Sequence, residues 1–144
     1  MAGKFLVAVD ASEGSERALN TAIALAKNTN NSITIAHVIE WSPFSFHTPY
    51  ELAERHKRRE EELDRAKQAM LAPAAAAVEA AGVACETIVQ HGHPAETLAA
   101  LAKNSDALQI FIGRKGQSKA SLLLFGSVAS SLIQISAVPV TVVP

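Results

Sequence analysis

Short apolar runs alternate with helix-patterned segments along the whole chain, and few architectures accommodate that order. Phe5 to Val9 is continuously apolar and Ile33 to Val38 alternates. Val83 to Gln90, Leu108 to Ile112 and Val138 to Val143 supply three further runs. Between them apolar residues recur every three or four positions, as in Ala18, Leu19, Ala22, Ile23 and Ala26. Strands of this length joined by helices cannot pair as hairpins; they form a parallel sheet covered on both faces. Right-handed crossovers make such a sheet doubly wound, with a ligand crevice outside the carboxyl ends of the strands where the winding reverses. The predicted fold is therefore α/β: one doubly wound, five-stranded parallel sheet with helices on both faces. At 144 residues the chain closes one core, so residues 1–144 are expected to form a single domain.

Local signals fill in the connections. Ser12 is placed to cap the first helix, and residues 28–32 are a polar turn. Glu40 to Pro49 reads as a loop containing Pro43 and several aromatics. Tyr50 to Ala81 reads as one long helix stopped by Gly82, with Pro73 expected to kink or split it. His91-Gly92-His93-Pro94 reads as a tight connection, with Pro94 in the first turn of the next helix. Ser127 to Ser136 reads as the last helix.

The chemistry-bearing feature follows the fourth apolar run. Gly113-Arg114-Lys115-Gly116 is followed by nine residues and then by Gly126-Ser127-Val128. Glycine admits close approach of backbone to a bulky anion, and a helix start presents free N–H groups with a favourable dipole. Arg114, Lys115 and Lys119 add positive charge, so the stretch suggests a phosphate cradle. It is not a P-loop, which needs Lys before the Ser at the helix entrance. Nor does the first strand lead into a dinucleotide fingerprint, for Val9-Asp10-Ala11-Ser12-Glu13-Gly14-Ser15 stands there instead. Asp10, Val38 and Gly113 all fall at carboxyl ends of strands, where the crevice is expected.

With these residues the chain resembles the universal stress protein family, whose nucleotide-binding members carry Gly-x2-Gly-x9-Gly-Ser/Thr. Gly113, Gly116, Gly126 and Ser127 match that spacing without a gap. Val9-Asp10-Ala11-Ser12 with Ser15 to Leu19, Gly92-His93-Pro94, and Pro139 to Val143 look like further family landmarks, so the resemblance covers essentially the whole chain. It implies the family's Rossmann-like sheet and an adenine nucleotide, ATP, ADP or AMP, held by Val9, Asp10, Ala11, Val38, Gly113, Arg114, Gly116, Gly126, Ser127, Val128 and Ala129. In that scheme Val38 offers main-chain groups to the adenine edge and Ala11 lines the base pocket. Asp10 lies beside the nucleoside, facing a ribose hydroxyl or a phosphate-bound Mg ion. Ser127 bonds a phosphate oxygen, although a helix-capping serine would look the same. One departure concerns the phosphates: relatives commonly have Ser or Thr where this chain has Ala129, which removes a hydroxyl from their outer end.

The remaining residues narrow the function classes. A net charge of −1 offers no general attraction to nucleic acid or to an acidic membrane. No apolar run is long enough to cross a bilayer, and the first residues lead directly into a strand without signal-peptide architecture. Cys85 is the single cysteine, which favours a reducing cytoplasm and core packing. His91 and His93 lack companions at metal-ligand spacing, and the mixed run His56 to Glu62 reads as a solvated, ion-paired helix face. No nucleophile–base pair is visible.

The reading is a cytoplasmic adenine-nucleotide-binding protein acting as a nucleotide-dependent switch or partner-binding module in stress response. The alternatives are a slow metal-dependent ATP hydrolase and a nucleotide-free dimeric adaptor. The apolar C-terminal strand, as an uncovered edge, is expected to join a homodimer; larger oligomers and an unidentified protein partner remain compatible with the reading.

Overall fold

The computed structural model describes residues 3–40, 48–116 and 126–144. In chain order its elements are β1 (Lys4–Ala8), α1 (Glu13–Thr29), β2 (Ser32–Glu40), α2 (Pro49–Ala66), α3 (Ala72–Ala80), β3 (Cys85–Gly92), α4 (Pro94–Asn104), β4 (Gln109–Gly113), α5 (Ser127–Ile135) and β5 (Val140–Val143). The strands form one parallel sheet in the order β3-β2-β1-β4-β5. Chain order runs outward from β1 in one direction and returns past it in the other, so the winding reverses between β1 and β4. The doubly wound α/β sheet expected from the alternation is therefore present.

Period-two alternation divides the strand side chains between two cores. Phe5, Val7 and Val9 of the first strand region pack with Ile33, Ile35 and Phe111 against Leu19, Ala22 and Ala26 of α1 and Val78 of α3. Leu6, Ala8, Ala36, Ile110 and Ile112 point the other way, onto Leu98 and Ala102 of α4 and Ala129 and Leu132 of α5. Phe5 and Phe111 meet edge to face with ring centroids 5.1 Å apart. Each fully buried side chain of this size contributes about 1.5–3 kcal/mol.

Capping decides the helix starts. Ser12 Oγ accepts the Ser15 N–H at 3.1 Å, as its position suggests. Thr48 caps α2 through a reciprocal box: its hydroxyl accepts the Glu51 N–H and Glu51 accepts the Thr48 N–H. That helix begins at Pro49, one residue before its apolar pattern indicates. The long helical stretch is divided just before Pro73, which stands in the first turn of α3. A single wide turn of π-helix, Lys67–Leu71, lies between α2 and α3, and the Ala72 N–H reaches back to the Lys67 carbonyl. Widening the ladder by one residue accommodates a proline that lacks an N–H and crowds the preceding carbonyl. None of the residues of α2 is buried, and His56 pairs with Glu60 at 3.1 Å on its exposed face.

The histidine segment differs from the expected tight turn. β3 continues through His91 and Gly92, leaving His93 alone as the residue before α4. His91 Nε2 lies 3.2 Å from a carboxylate oxygen of Glu62 on α2. A Cβ on Gly92 would stand 2.4 Å from Thr97 Oγ1, so a larger residue there would displace the Thr97 side chain. The loop read between Glu40 and Pro49 lies, for residues 41–47, outside the described residues, as does Lys119. Among the described residues no helix is long and apolar enough to cross a membrane.

Cys85 opens β3 and is only partly buried against the α1–α3 core. Burial raises its thiol pKa above the ordinary value, and the negative charges of Glu79 and Glu86 raise it further. The thiolate fraction at neutral pH is therefore lower in the folded chain than in the unfolded one. Iodoacetamide should alkylate the native protein several-fold more slowly than the urea-unfolded protein between about pH 7 and 9. The rate should rise at higher pH than for the unfolded chain; equal rates in both states would contradict the assigned environment.

Candidate functional site

β1 ends the sheet's central ladder where the chain must turn into α1. Val9 donates to the Ala36 carbonyl at 2.9 Å, and the backbone then leaves the sheet. Asp10 organises the turn: one carboxylate oxygen accepts the Ser12 N–H at 3.0 Å and also the Ser12 hydroxyl. The buried Ser15 hydroxyl accepts the Asp10 N–H at 3.3 Å and donates to the Ser12 carbonyl at 3.1 Å. Ala11 pivots between them at φ 65, a left-handed conformation rare for a residue with a Cβ.

On the other side of the switch point, β4 delivers the glycine loop. The Arg114 N–H donates to Val143 of β5 and its carbonyl accepts the Gly126 N–H, both at 2.7 Å. These two bonds hold the loop between the sheet edge and the start of α5. Gly126 itself is the N-cap, with extended backbone and no side-chain cap, so Ser127 is the first helical residue and not the capping serine. The first-turn N–H groups of α5 thus open toward the strand ends, which favours an anion there.

The glycines stand where the chain packs closely on itself, most tightly at Gly113. A Cβ on Gly113 would lie 2.6 Å from the Gly14 carbonyl carbon, and one on Gly126 3.1 Å from the Gly116 nitrogen. A Cβ on Gly116 would stand 2.7 Å from Asp10 Oδ2, so the second carboxylate oxygen of Asp10 faces this loop. Gly14, absent from the spacing motif, belongs to the same cluster, because its own Cβ would meet the Lys115 carbonyl at 2.8 Å.

Between the two turns lies a cavity of about 220 Å³. It is lined by Val9, Asp10, Val38, Gly113, Arg114, Gly116, Gly126, Ser127, Val128 and Ala129, all marked by the sequence. Ala11 is not among its lining residues: it is exposed and serves the turn. Lys115 adds charge at the rim. Ala129 is buried in the α4–α5 core and carries no hydroxyl to the cavity. The Nε of Arg114 is buried with no hydrogen-bond partner among the described residues. A buried cationic donor without a partner is costly. The same described residues contain no group of three His, Cys, Asp or Glu that could hold a metal directly. A more open cavity of about 550 Å³ shares Glu40, Pro94, Ser127 and Val128 and leads toward α4.

Residues unmarked by the sequence motifs also reach the cavity. Ala36, Glu40 and Leu98 contribute walls, and His37 contributes a ring whose Nδ1 lies 2.7 Å from the Val9 carbonyl oxygen. A histidine inside the second apolar run, immediately before Val38, was the available signal for His37.

Fold and crevice define a class: doubly wound α/β proteins with a glycine-lined, anion-ready site at the switch point. The family model described as the universal stress protein family matches residues 1–144, and the chain belongs to that family. It is similar to universal stress protein YxiE of Bacillus subtilis (strain 168), at 32% identity over 150 residues covering 99% of each chain. Its fold is similar to that of universal stress protein UspA from Lactobacillus plantarum, with a TM-score of 0.84 at 24% identity, covering 99% of this chain and 97% of the other. Two further structures of the same fold are a universal stress protein in complex with cAMP and one from Archaeoglobus fulgidus in complex with dAMP. The first has a TM-score of 0.71 at 24% identity and covers 99% of this chain and 97% of the other. The second has a TM-score of 0.65 at 20% identity and covers 100% and 98%.

The left-handed residue offers a direct test of the turn. Its cost for an L-residue is about 1–2 kcal/mol, partly offset for glycine by greater unfolded-chain entropy. Ala11→Gly should therefore raise stability by up to about 1 kcal/mol, whereas β-branched Ala11→Val should lower it by about as much. Urea midpoints of the two variants check this; the opposite order would show that residue 11 is not held in the left-handed region.

Proposed function

We propose that the protein binds an adenine nucleotide in the switch-point crevice and acts in the cytoplasm as a nucleotide-dependent switch or partner-binding module in stress response, with residues 1–144 as one unit. The observation that carries the reading is the switch-point cavity, lined together by Gly113, Arg114, Gly116, Gly126 and the first turn of α5, which has no side-chain cap. A phosphate placed there would accept from the first-turn amides of α5 and be attracted by the Arg114 charge. Complexes of two structural relatives with cAMP and with dAMP support the adenine part. In this arrangement Val38 main-chain groups meet the base edge and Asp10 lies beside the nucleoside, facing a ribose hydroxyl or a phosphate-bound Mg ion. Gly113, Gly116, Gly126, Ser127 and Val128 surround the phosphates. Buried Ala129 supplies no outer hydroxyl, which favours a nucleotide with fewer phosphates over ATP.

Calorimetric titration of nucleotide-stripped protein with ATP, ADP and AMP, with and without magnesium, tests the reading. Binding is expected for at least one of them; no heat and no competition at millimolar ligand would overturn it. Arg114→Gln isolates the phosphate contact better than a glycine substitution, because the glycines pack against the chain itself. It should lower affinity roughly ten- to a hundredfold, the loss of one charge-assisted bond of about 1.5–3 kcal/mol, with little change in stability.

Self-association through β5 belongs to the same proposal. Among the described residues β5 pairs with β4 alone. Pro139 O and Val143 O accept from β4 and the loop after it, so the N–H and C=O groups of Val140 and Val142 point outward. An apolar edge with unpaired groups is relieved by two-fold pairing with a second copy. Light scattering at micromolar concentration should give a dimer mass for the intact protein. Val142→Pro removes an outward donor without touching the β4 ladder and should give a folded monomer. A monomeric wild type, or a dimeric Val142→Pro variant, would contradict the β5 interface.

A further inference from the structure

The groups that would read the base are free only because the β1–β2 ladder stops early, and the register shows what stops it. Ser32 N–H donates to Gly3 O and Ala36 O accepts from Val9 N–H, so even-numbered β2 residues direct their main-chain groups at β1. Ile33 N–H donates to Ala84 O beside β3, so odd-numbered residues direct theirs the other way. Val38 therefore faces β1. With Ala8 opposite Ala36, its next partners in a continued parallel ladder would be the Val9 carbonyl for its N–H and the Ala11 N–H for its carbonyl.

Neither bond forms among the described residues. The Val9 carbonyl accepts instead from His37 Nδ1 at 2.7 Å. Because a carbonyl only accepts, Nδ1 must carry the proton. The chain leaves the sheet through the left-handed turn at Ala11, φ 65, and no bond from the Ala11 N–H to Val38 forms among the described residues. One partner is thus engaged by a side chain and the other is not bonded to Val38, which leaves a donor–acceptor pair on Val38 at the cavity wall.

Resting on the adenine reading above, we propose that His37 is a positioning residue for base recognition: its ring takes the Val9 carbonyl and keeps the Val38 N–H and C=O available to the Watson–Crick edge of the base. Asparagine places an amide N–H close to where Nδ1 lies, so His37→Asn preserves the device, whereas His37→Leu removes it. In His37→Leu the Val9 carbonyl becomes available and the Val38 N–H closes onto it.

The test combines amide hydrogen exchange of the nucleotide-stripped, full-length protein with titrations of the adenine nucleotides. In the wild type, Val38 N–H should exchange at least tenfold faster than Ala36 N–H. In His37→Leu, Val38 should become protected, and affinity for the best-bound adenine nucleotide should fall about tenfold or more. His37→Asn should retain the wild-type exchange pattern and bind within about threefold of wild type. Wild-type protection of Val38 equal to that of Ala36 overturns the proposal even if His37→Leu does not fold. A fall in affinity with unchanged Val38 exchange also overturns it, because His37 would then act by another route. If the wild type binds no adenine nucleotide, the binding reading falls and base positioning with it. The exchange data then still decide whether His37 ends the ladder, so the two failures are distinguishable.

Discussion

The hydrogen bond from Val9 to the Ala36 carbonyl closes the central β1–β2 ladder, and the carboxyl edge of the sheet is organised around the point where it does so. Past it the chain must leave the sheet, turn and begin α1 within a few residues. The turn is strained at Ala11, at a cost of about 1–2 kcal/mol. Against that stand the Ser12 cap, contributing about 1 kcal/mol, and bonds to a charged carboxylate at Asp10, each contributing about 1.5–3 kcal/mol. The network outweighs the strain, so the turn holds its shape without a ligand and presents the other Asp10 oxygen to the glycine loop.

Opposite that turn, Gly14, Gly113, Gly116 and Gly126 stand where three pieces of the chain pack closely, most tightly at Gly113. This contact joins the start of α1 to the end of β4 and the start of α5. Folding and site formation are therefore the same event here: the residues that let the loop lie flat also leave the α5 amides and Arg114 facing the crevice. A glycine pattern in such a loop reports close approach, whether by ligand or by the chain itself, and in this molecule the chain itself already packs closely there.

The periphery is built with fewer constraints. α2 carries no buried side chain, and the wide turn at Lys67–Leu71 passes the strain of Pro73 into one expanded helical ring. His91 and Glu62 tie that region back to β3. At the far side of the sheet β5 is held by β4 and by the Arg17 guanidinium, whose Nε donates to Pro144 O at 2.9 Å. Its outward groups face away from the sheet, and Ile133 and Ile135 of the preceding helix are half-exposed.

Much of this was legible in the residues because it is governed by local periodicity. The five apolar runs became the five strands to within a residue or two, and Ser12 and Pro94 opened helices as their chemistry requires. Gly113, Gly116 and Gly126 all line the switch-point cavity, since strand ends, glycines and a helix start are consecutive in the chain. The tertiary structure alone decided which strands are neighbours, and hence that β5 is an edge. It also showed that Gly126 rather than Ser127 caps α5, that Ala11 turns the chain instead of lining the cavity, and that Gly14 completes the glycine cluster. His37 belongs with these. Its ring meets the Val9 carbonyl across the sheet, a contact between residues 28 positions apart that no window along the chain contains. Sequence periodicity specifies which face a side chain occupies; only the register of paired strands specifies what stands across from it.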